Sequence, residues 1–207
     1  MCGSIPYLLQ ELKVENIIIG KQFENCDNYQ QFLKIVKQKK IRVHIVEIGQ
    51  RINIEKDLYF DILWPSSINV ISENSINNNS LVCKMIYKDT SILFTGDIEE
   101  IAENQILEKY KNSEILKSDI LKVGHHGSKT STIPKFLEKV NPRIALIGVG
   151  ENNKFGHPSN EVIQRLKDIG VKIYRTDEMG EIIIKVNNKL KTNVKTIINK
   201  NMKLNSE

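Results

Sequence analysis

The sequence has few cysteines and no paired cysteine motif. Its three cysteines, Cys2, Cys26 and Cys83, are widely spaced along 207 residues and form no CxxC. A disulfide framework or a cysteine zinc cluster needs regularly or closely spaced pairs, so neither organises this chain. We interpret Cys83 as a small core residue and the other two as free thiols.

Long hydrophobic runs are also absent. No apolar stretch approaches the roughly 20 residues of a membrane helix, and the N-terminus lacks the basic and apolar regions of a signal peptide. The hydrophobic fraction of 40% is that of an ordinary globular core. The net charge of +5 is weak support for an anionic partner, because lysine, asparagine and isoleucine dominate the whole chain.

Strand and helix patterns alternate along the chain, which predicts a layered α/β domain over residues 1–186. A basic, weakly structured tail is expected over residues 187–207. Leu33 and Ile169 are expected to face inward on their helices. The predicted strands are residues 14–20, 43–46, 81–87, 91–94, 119–123, 143–149, 171–174 and 181–186, with a strand–turn–strand unit at 48–64. The predicted helices are residues 1–12, 28–39, a helix from 98, 133–140, and one capped by Ser159 that runs through 169. Residues 65–79 are predicted to be a polar loop.

Four candidate metal ligands each follow a predicted strand. His125 and His126 lie in the sequence ILKVGHHGSKTS (residues 120–131), Asp97 ends the preceding strand, and His157 follows the next one. Ligands collect beyond the carboxyl ends of strands in α/β sheets, and imidazole and carboxylate are ligands of zinc and similar metals. These residues therefore predict a site for one or two divalent metals that could support hydrolysis. The fourth histidine, His44, is interpreted as an ordinary strand residue.

The residues alone leave some roles open. Asp97 could instead cap a helix, His157 could merely shape the turn before Pro158, and either His125 or His126 could be the ligand. Gly124 and Gly127 allow a tight turn on both sides of the histidine pair. Hydroxyl groups of Ser128 and Thr130 could bind an oxyanion or a phosphate.

Five motifs, in this order and spacing, resemble the C-terminal metallo-β-lactamase-like domain of ComEC-type DNA-internalisation competence proteins. The motifs are NNNSLV (77–82), TGD (95–97), KVGHHGS (122–128), GHPS (156–159) and RTDEMGEI (175–182). The resemblance implies an αββα sandwich that holds two divalent metals, zinc or manganese. It also implies hydrolysis, with degradation of DNA as the proposed role.

By position, the resemblance implies that Asp97 bridges the metals, that the His125–His126 pair supplies a ligand, and that His157 is the late site histidine. The motif residues Asn79, Ser80, Arg175 and Asp177 join Ser128 and Thr130 as candidates for substrate binding. The family's upstream HxHxDH motif does not occur in this sequence. We therefore expect a domain that lacks its N-terminal strands and a metal site that is incomplete in this chain.

Three functions are consistent with these patterns. The first is a metal-dependent hydrolase of single-stranded DNA or another phosphodiester, impaired in this fragment. The second is a catalytically inactive truncated module, and the third is a small-molecule hydrolase on the same fold. The resemblance implies a membrane channel segment as a partner and an extracytoplasmic position in full-length relatives. An exposed sheet edge would favour self-association.

Overall fold

The computed structural model describes residues 5–21, 27–68, 70–186 and 192–198. The helices are α1 (Ile5–Glu11), α2 (Asp27–Gln38), α3 (Ser75–Asn78), α4 (Glu100–Lys109), α5 (Pro134–Val140), α6 (Asn160–Asp168) and α7 (Thr176–Met179). The strands are β1 (Asn16–Gly20), β2 (Arg42–Val46), β3 (Arg51–Glu55), β4 (Leu58–Trp64), β5 (Val82–Tyr87), β6 (Thr90–Phe94), β7 (Ile120–Lys122), β8 (Ile144–Ile147), β9 (Lys172–Arg175), β10 (Ile182–Val186) and β11 (Thr192–Thr196).

A seven-stranded mixed sheet forms the centre of the described structure, with strand order β3-β4-β5-β6-β7-β8-β9. Strands β3 to β6 are antiparallel meanders, whereas β6, β7, β8 and β9 run parallel to one another. The parallel strands are joined by α4, α5 and α6, because a parallel connection needs a crossover. The carboxyl ends of β6, β7 and β8 therefore meet at one edge of the sheet.

The main core lies where the three crossover helices pack on this sheet. Apolar side chains of α4, α5 and α6 meet inward side chains of β6, β7 and β8 in one cluster. Its fully buried members include Leu93, Ile106, Leu121, Phe136 and Leu166. Burying each such side chain stabilises the fold by roughly 1.5–3 kcal/mol, so this half of the chain holds the loops of the sheet edge in place.

A second, smaller cluster covers the two-stranded parallel sheet of β1 and β2. Leu9 of α1 and Phe32 and Ile35 of α2 are buried in it, together with Ile41. The predicted layered α/β class is confirmed by these two sheets and their helices. The histidine outside the loops, His44 of β2, is exposed and lies 3.1 Å from Asn16 Oδ1, as an ordinary strand residue would.

Several local predictions are wrong. Leu33 is 40% exposed and Ile35 is buried in its place, while Ile169 is 46% exposed because it follows the end of α6. The loop predicted over residues 65–79 contains the short helix α3. Residues 192–196 form β11, which pairs with β10 and is not part of a weakly structured tail. Residues 187–191 and 199–207 of that tail lie outside the described residues.

The structure describes one of the three cysteines. Cys83 is a half-buried free thiol of β5, and burial raises its pKa to about 11, so the thiol is protonated at neutral pH. Cys2 and Cys26 lie outside the described residues.

Within the described segments, no helix is both long and apolar enough to cross a membrane.

Candidate active site

The structure brings the four predicted ligands together at the carboxyl edge of β6, β7 and β8. Backbone hydrogen bonds join the loops: His125 N donates to Gly96 O at 3.1 Å, and Ser159 N donates to Gly127 O at 2.8 Å. Thr95 Oγ1 adds a bond of 2.7 Å to Lys122 O. The three loops are thus connected to one another by hydrogen bonds and are not three independent segments.

Asp97 and His126 form the centre of the site. His126 Nε2 lies 3.6 Å from Asp97 Oδ1, and both side chains are partly exposed. On its other side, His126 Nδ1 lies 2.6 Å from the carbonyl oxygen of Gly148. A carbonyl only accepts, so Nδ1 carries the proton, and in the neutral ring Nε2 presents its lone pair toward Asp97. This tautomer leaves Nε2 available to a metal, with the other ring nitrogen oriented by a backbone carbonyl.

His125 points to a different carboxylate. Its Nδ1 is buried 3.1 Å from Glu99 Oε1, but the alignment is too poor for a hydrogen bond. Glu99 also accepts from Asn74 Nδ2 at 2.8 Å and from Thr130 Oγ1 at 3.2 Å. Sequence analysis did not single out Glu99, which immediately precedes α4. Its position two residues after Asp97 was the one signal of a site role.

His157 completes the histidine cluster. Its ring centroid lies 5.6 Å from that of His125, whose centroid lies 6.5 Å from that of His126. Burial, and then the neighbouring His125 and His126, lower the pKa of His157 below its ordinary 6.5. The ring of His157 is therefore neutral at physiological pH, when it can accept a proton or bind a cation.

The histidine pair requires the glycines that flank it. His125 and His126 have φ values of 44° and 54°, in the left-handed region, which costs roughly 1–3 kcal/mol for each non-glycine residue. Gly127 has φ 83°, and a Cβ there would lie 2.6 Å from Pro158 Cβ. Gly127, at the end of the G-H-H-G turn, is thus a geometric requirement of the turn.

A buried carboxylate that the sequence did not reveal holds the loop beyond the pair. Glu103 of α4 is 1% exposed and accepts from Thr132 N at 2.6 Å and from Ile133 N at 2.8 Å. Arg165 of α6 donates to the carbonyl oxygens of Ser131 and Thr132. Burial raises the pKa of Glu103 to about 7, against the opposing effect of its two backbone hydrogen bonds.

The predicted substrate-binding residues divide into two groups. Ser128 and Thr130 lie beside the site, with Ser128 Oγ 3.0 Å from Thr130 Oγ1. The side chain of Ser80 lies beside Gly96, where an added Cβ would lie 2.7 Å from Ser80 Cβ.

The other predicted residues have structural partners. Asn79 is buried, and its amide bonds the backbone of Ile71 and Ser75. Arg175 forms ion pairs with Asp177 and Glu178, so its charge is already balanced within the α7 turn.

An apolar groove of about 390 Å³ runs from the β1–α2 unit to the site. Ile17 and Ile19 of β1 and Phe32 of α2 line one side, and Leu81 and Asp97 lie at the other. The site is thus open to a ligand that approaches along this groove.

The described residues fit a divalent metal only in part. Two ligands of one tetrahedral zinc lie roughly 3.3 Å apart, which is close to the separation of Asp97 Oδ1 and His126 Nε2. No group of three or more histidine, cysteine or acidic side chains with metal-binding geometry occurs among the residues described. A catalytic zinc has three protein ligands, and the Asp97–His126 pair offers two at that spacing.

Comparison with known proteins identifies relatives of this chain. It is 34% identical over 190 residues to ComE operon protein 3 of Bacillus subtilis (strain 168), covering 92% of this chain and 24% of that protein. It is 34% identical over 123 residues to competence protein ComA of Neisseria gonorrhoeae, covering 59% of this chain and 17% of that protein. It is 35% identical over 132 residues to recombination protein 2 of Haemophilus influenzae, covering 60% and 15%. The chain thus spans about a quarter or less of these relatives.

Protein-family models and solved structures add less. No protein-family model matches the chain. The metallo-β-lactamase fold protein YhfI of Bacillus subtilis superposes with a TM-score of 0.44 at 9% identity, covering 84% of this chain and 68% of that one.

Proposed function

The chain belongs with the ComEC-type competence proteins, as a homologue of one segment of ComE operon protein 3, and on that premise we propose that it is the hydrolytic domain of a metal-dependent phosphodiesterase acting on nucleic acid. The observation that carries the proposal is the Asp97–His126 pair, a carboxylate and an oriented imidazole 3.6 Å apart at the carboxyl ends of the parallel strands. The names of the relatives, which refer to competence and recombination, favour DNA as the substrate class.

The chain's own residues would orient the metal ligands and the substrate. The Gly148 carbonyl keeps the proton of His126 on Nδ1, which leaves Nε2 free for zinc or manganese beside Asp97. A divalent metal, when bound, polarises a phosphoryl oxygen and lowers the pKa of a water. The neutral His157 ring can accept a proton at this edge. The Thr130 hydroxyl proton is donated to Glu99 Oε1, so the neighbouring Ser128 hydroxyl, 3.0 Å from Thr130 Oγ1, is the one that can turn to donate to a phosphate oxygen.

We propose that further ligands come from residues other than those described, such as the upstream HxHxDH motif that the family resemblance implies. Two ligands hold a metal weakly, and a site without its supporting contacts loses affinity. The 207-residue chain is therefore expected to bind metal weakly and to turn over slowly. The second candidate function is an inactive module, favoured by the lack of a three-ligand group among the described residues.

In the experiment that tests the proposal, metal binding is separated from turnover. Zinc or manganese is titrated calorimetrically into the chain, into Asp97→Ala and into His126→Ala, with His44→Ala as the control because His44 lies on β2. We expect weak binding that both site variants abolish and the control keeps. A longer chain carrying an upstream HxHxDH motif should cleave single-stranded DNA, and Asp97→Ala in it should remove most of that activity. Unchanged cleavage by that variant would refute the assignment.

A further inference from the structure

An aromatic ring lies exposed beside the histidine cluster. Phe155, in the loop between β8 and α6, is 73% exposed, and its ring stacks on His157 with a centroid distance of 5.9 Å and an interplanar angle of 18°. These values are typical of offset-stacked aromatic pairs. One face of the Phe155 ring is thus covered by a residue of the site, while the other faces solvent.

The loop that carries Phe155 is fixed by one side chain. Asn153 Oδ1 accepts from Phe155 N at 3.2 Å and from His157 N at 3.0 Å. Its Nδ2 donates to His157 O at 2.6 Å and to Gly150 O at 3.3 Å. Phe155 and His157 are therefore held in a defined relation to each other before any ligand binds, which reduces the entropy lost when a ligand stacks on the ring.

A single exposed apolar residue is ordinary in itself. Phe155 differs in three respects: its ring is oriented by stacking, its loop is tied by Asn153, and its stacking partner His157 lies 5.6 Å from His125 in the candidate site. The adjacent Lys154 is exposed and carries a positive charge. A flat ring beside a cation is the combination with which proteins bind single-stranded nucleic acid.

We propose that the open face of Phe155 is a stacking platform for a nucleobase of a single-stranded substrate, which places the neighbouring phosphodiester at the Asp97–His126 pair. The proposal rests on the proposed function, since it presumes a nucleic-acid substrate, and it deepens that function by assigning a base-binding residue. Asn153 is the positioning residue of the platform. Base stacking on an aromatic side chain tolerates every base, so little sequence preference is expected.

The test is a binding measurement without added metal, so that it does not depend on hydrolysis. Fluorescence anisotropy compares a labelled single-stranded oligonucleotide with the same backbone made of abasic sites, for the wild-type chain and for Phe155→Leu, Phe155→Trp and Asn153→Ala. Tyr87→Leu is the matched control, because Tyr87 also carries a cation near its ring but lies at the opposite end of β5 from the site.

We expect Phe155→Leu to weaken binding of the base-bearing strand about tenfold and to leave the abasic strand unchanged. Phe155→Trp should keep the affinity, and its fluorescence should be quenched by the base-bearing strand. Asn153→Ala should weaken base-dependent binding in the same direction, and Tyr87→Leu should have no effect.

Three results would overturn the platform. One is equal binding of both strands by the wild type, which leaves a nucleic-acid backbone as the ligand. The second is an equal loss in Tyr87→Leu, and the third is no binding of either strand, which removes the nucleic-acid substrate class as well. Base-dependent binding by this chain, together with no metal-dependent cleavage by the longer chain that carries the upstream motif, would instead refute the hydrolysis and leave the platform standing.

Discussion

Substitution of Gly127 by alanine tests whether close contact between two loops holds the site together. Gly127 has φ 83°, and an added Cβ would lie 2.6 Å from Pro158 Cβ and 3.1 Å from its Cα. The pyrrolidine ring and the backbone of Pro158 cannot rotate away. The methyl group must therefore separate the loop of His125 and His126 from the loop of His157.

Two terms set the size of the effect. An alanine in the left-handed region costs roughly 1–2 kcal/mol for backbone strain, and forcing an extra methyl group into a packed contact costs roughly a further 1–3 kcal/mol. Gly49 isolates the first term, because its φ is 88° and nothing lies within 4 Å of an added Cβ. We expect Gly49→Ala to lower the free energy of unfolding by about 1–2 kcal/mol and Gly127→Ala by about 2–5 kcal/mol.

Urea unfolding of the two variants and the wild type measures this difference. A two-dimensional NMR spectrum of the imidazole groups adds a local readout, since only Gly127→Ala should shift the signals of His126 and His157. If the two variants lose the same free energy and both leave the imidazole signals unchanged, the contact with Pro158 does not hold the loops together and the argument fails.

Three further predictions concern other parts of the chain. Burial raises the pKa of Glu103 from 4.5 to about 7, so this carboxyl stays protonated to a higher pH in the folded state than in the unfolded chain. The free energy of unfolding therefore falls by roughly 3 kcal/mol as pH rises between these values. In urea titrations across this range, Glu103→Gln should flatten that slope relative to the wild type, and parallel slopes would contradict the assignment. Asn79→Ala should lower the free energy of unfolding, measured by thermal unfolding, by about 2–4 kcal/mol because it leaves buried backbone groups of Ile71 unpaired. Ser80→Ala should change it by less than about 0.5 kcal/mol. Equal losses in the two variants would favour the substrate-binding role that the sequence suggested for Asn79. Ile45 of β2 is 51% exposed on a two-stranded sheet whose strands each have an open edge among the described residues. Sedimentation velocity should therefore show concentration-dependent dimers, which Ile45→Lys should prevent. A wild-type chain that stays monomeric would disprove this self-association.

The positions of the strands and loops along the chain were largely predictable, and particular residues show why. Three-residue β7 and four-residue β8 are short apolar runs that end at glycine or a polar loop, so period and punctuation identify them without tertiary information. Leu33 was misassigned because it lies at the border of the apolar face of α2, where Ile35 is buried instead, and Ile169 because α6 ends one residue before it. β11 was missed because its alternating polar sequence is stabilised by pairing with β10 and not by burial of its own side chains.

The sequence by itself determined the layered α/β class, the position of Asp97, His125, His126 and His157 at strand ends, and the glycines that the turn requires. Only the tertiary structure decided which histidine faces Asp97, because that depends on the Gly148 carbonyl 22 residues away, which binds His126 Nδ1. It also decided that Glu99 approaches His125 and that Glu103 holds the loop beyond it. These roles come from contacts between segments about 22–30 residues apart along the chain. Local patterns of hydrophobicity, charge and turn residues do not determine which distant groups meet.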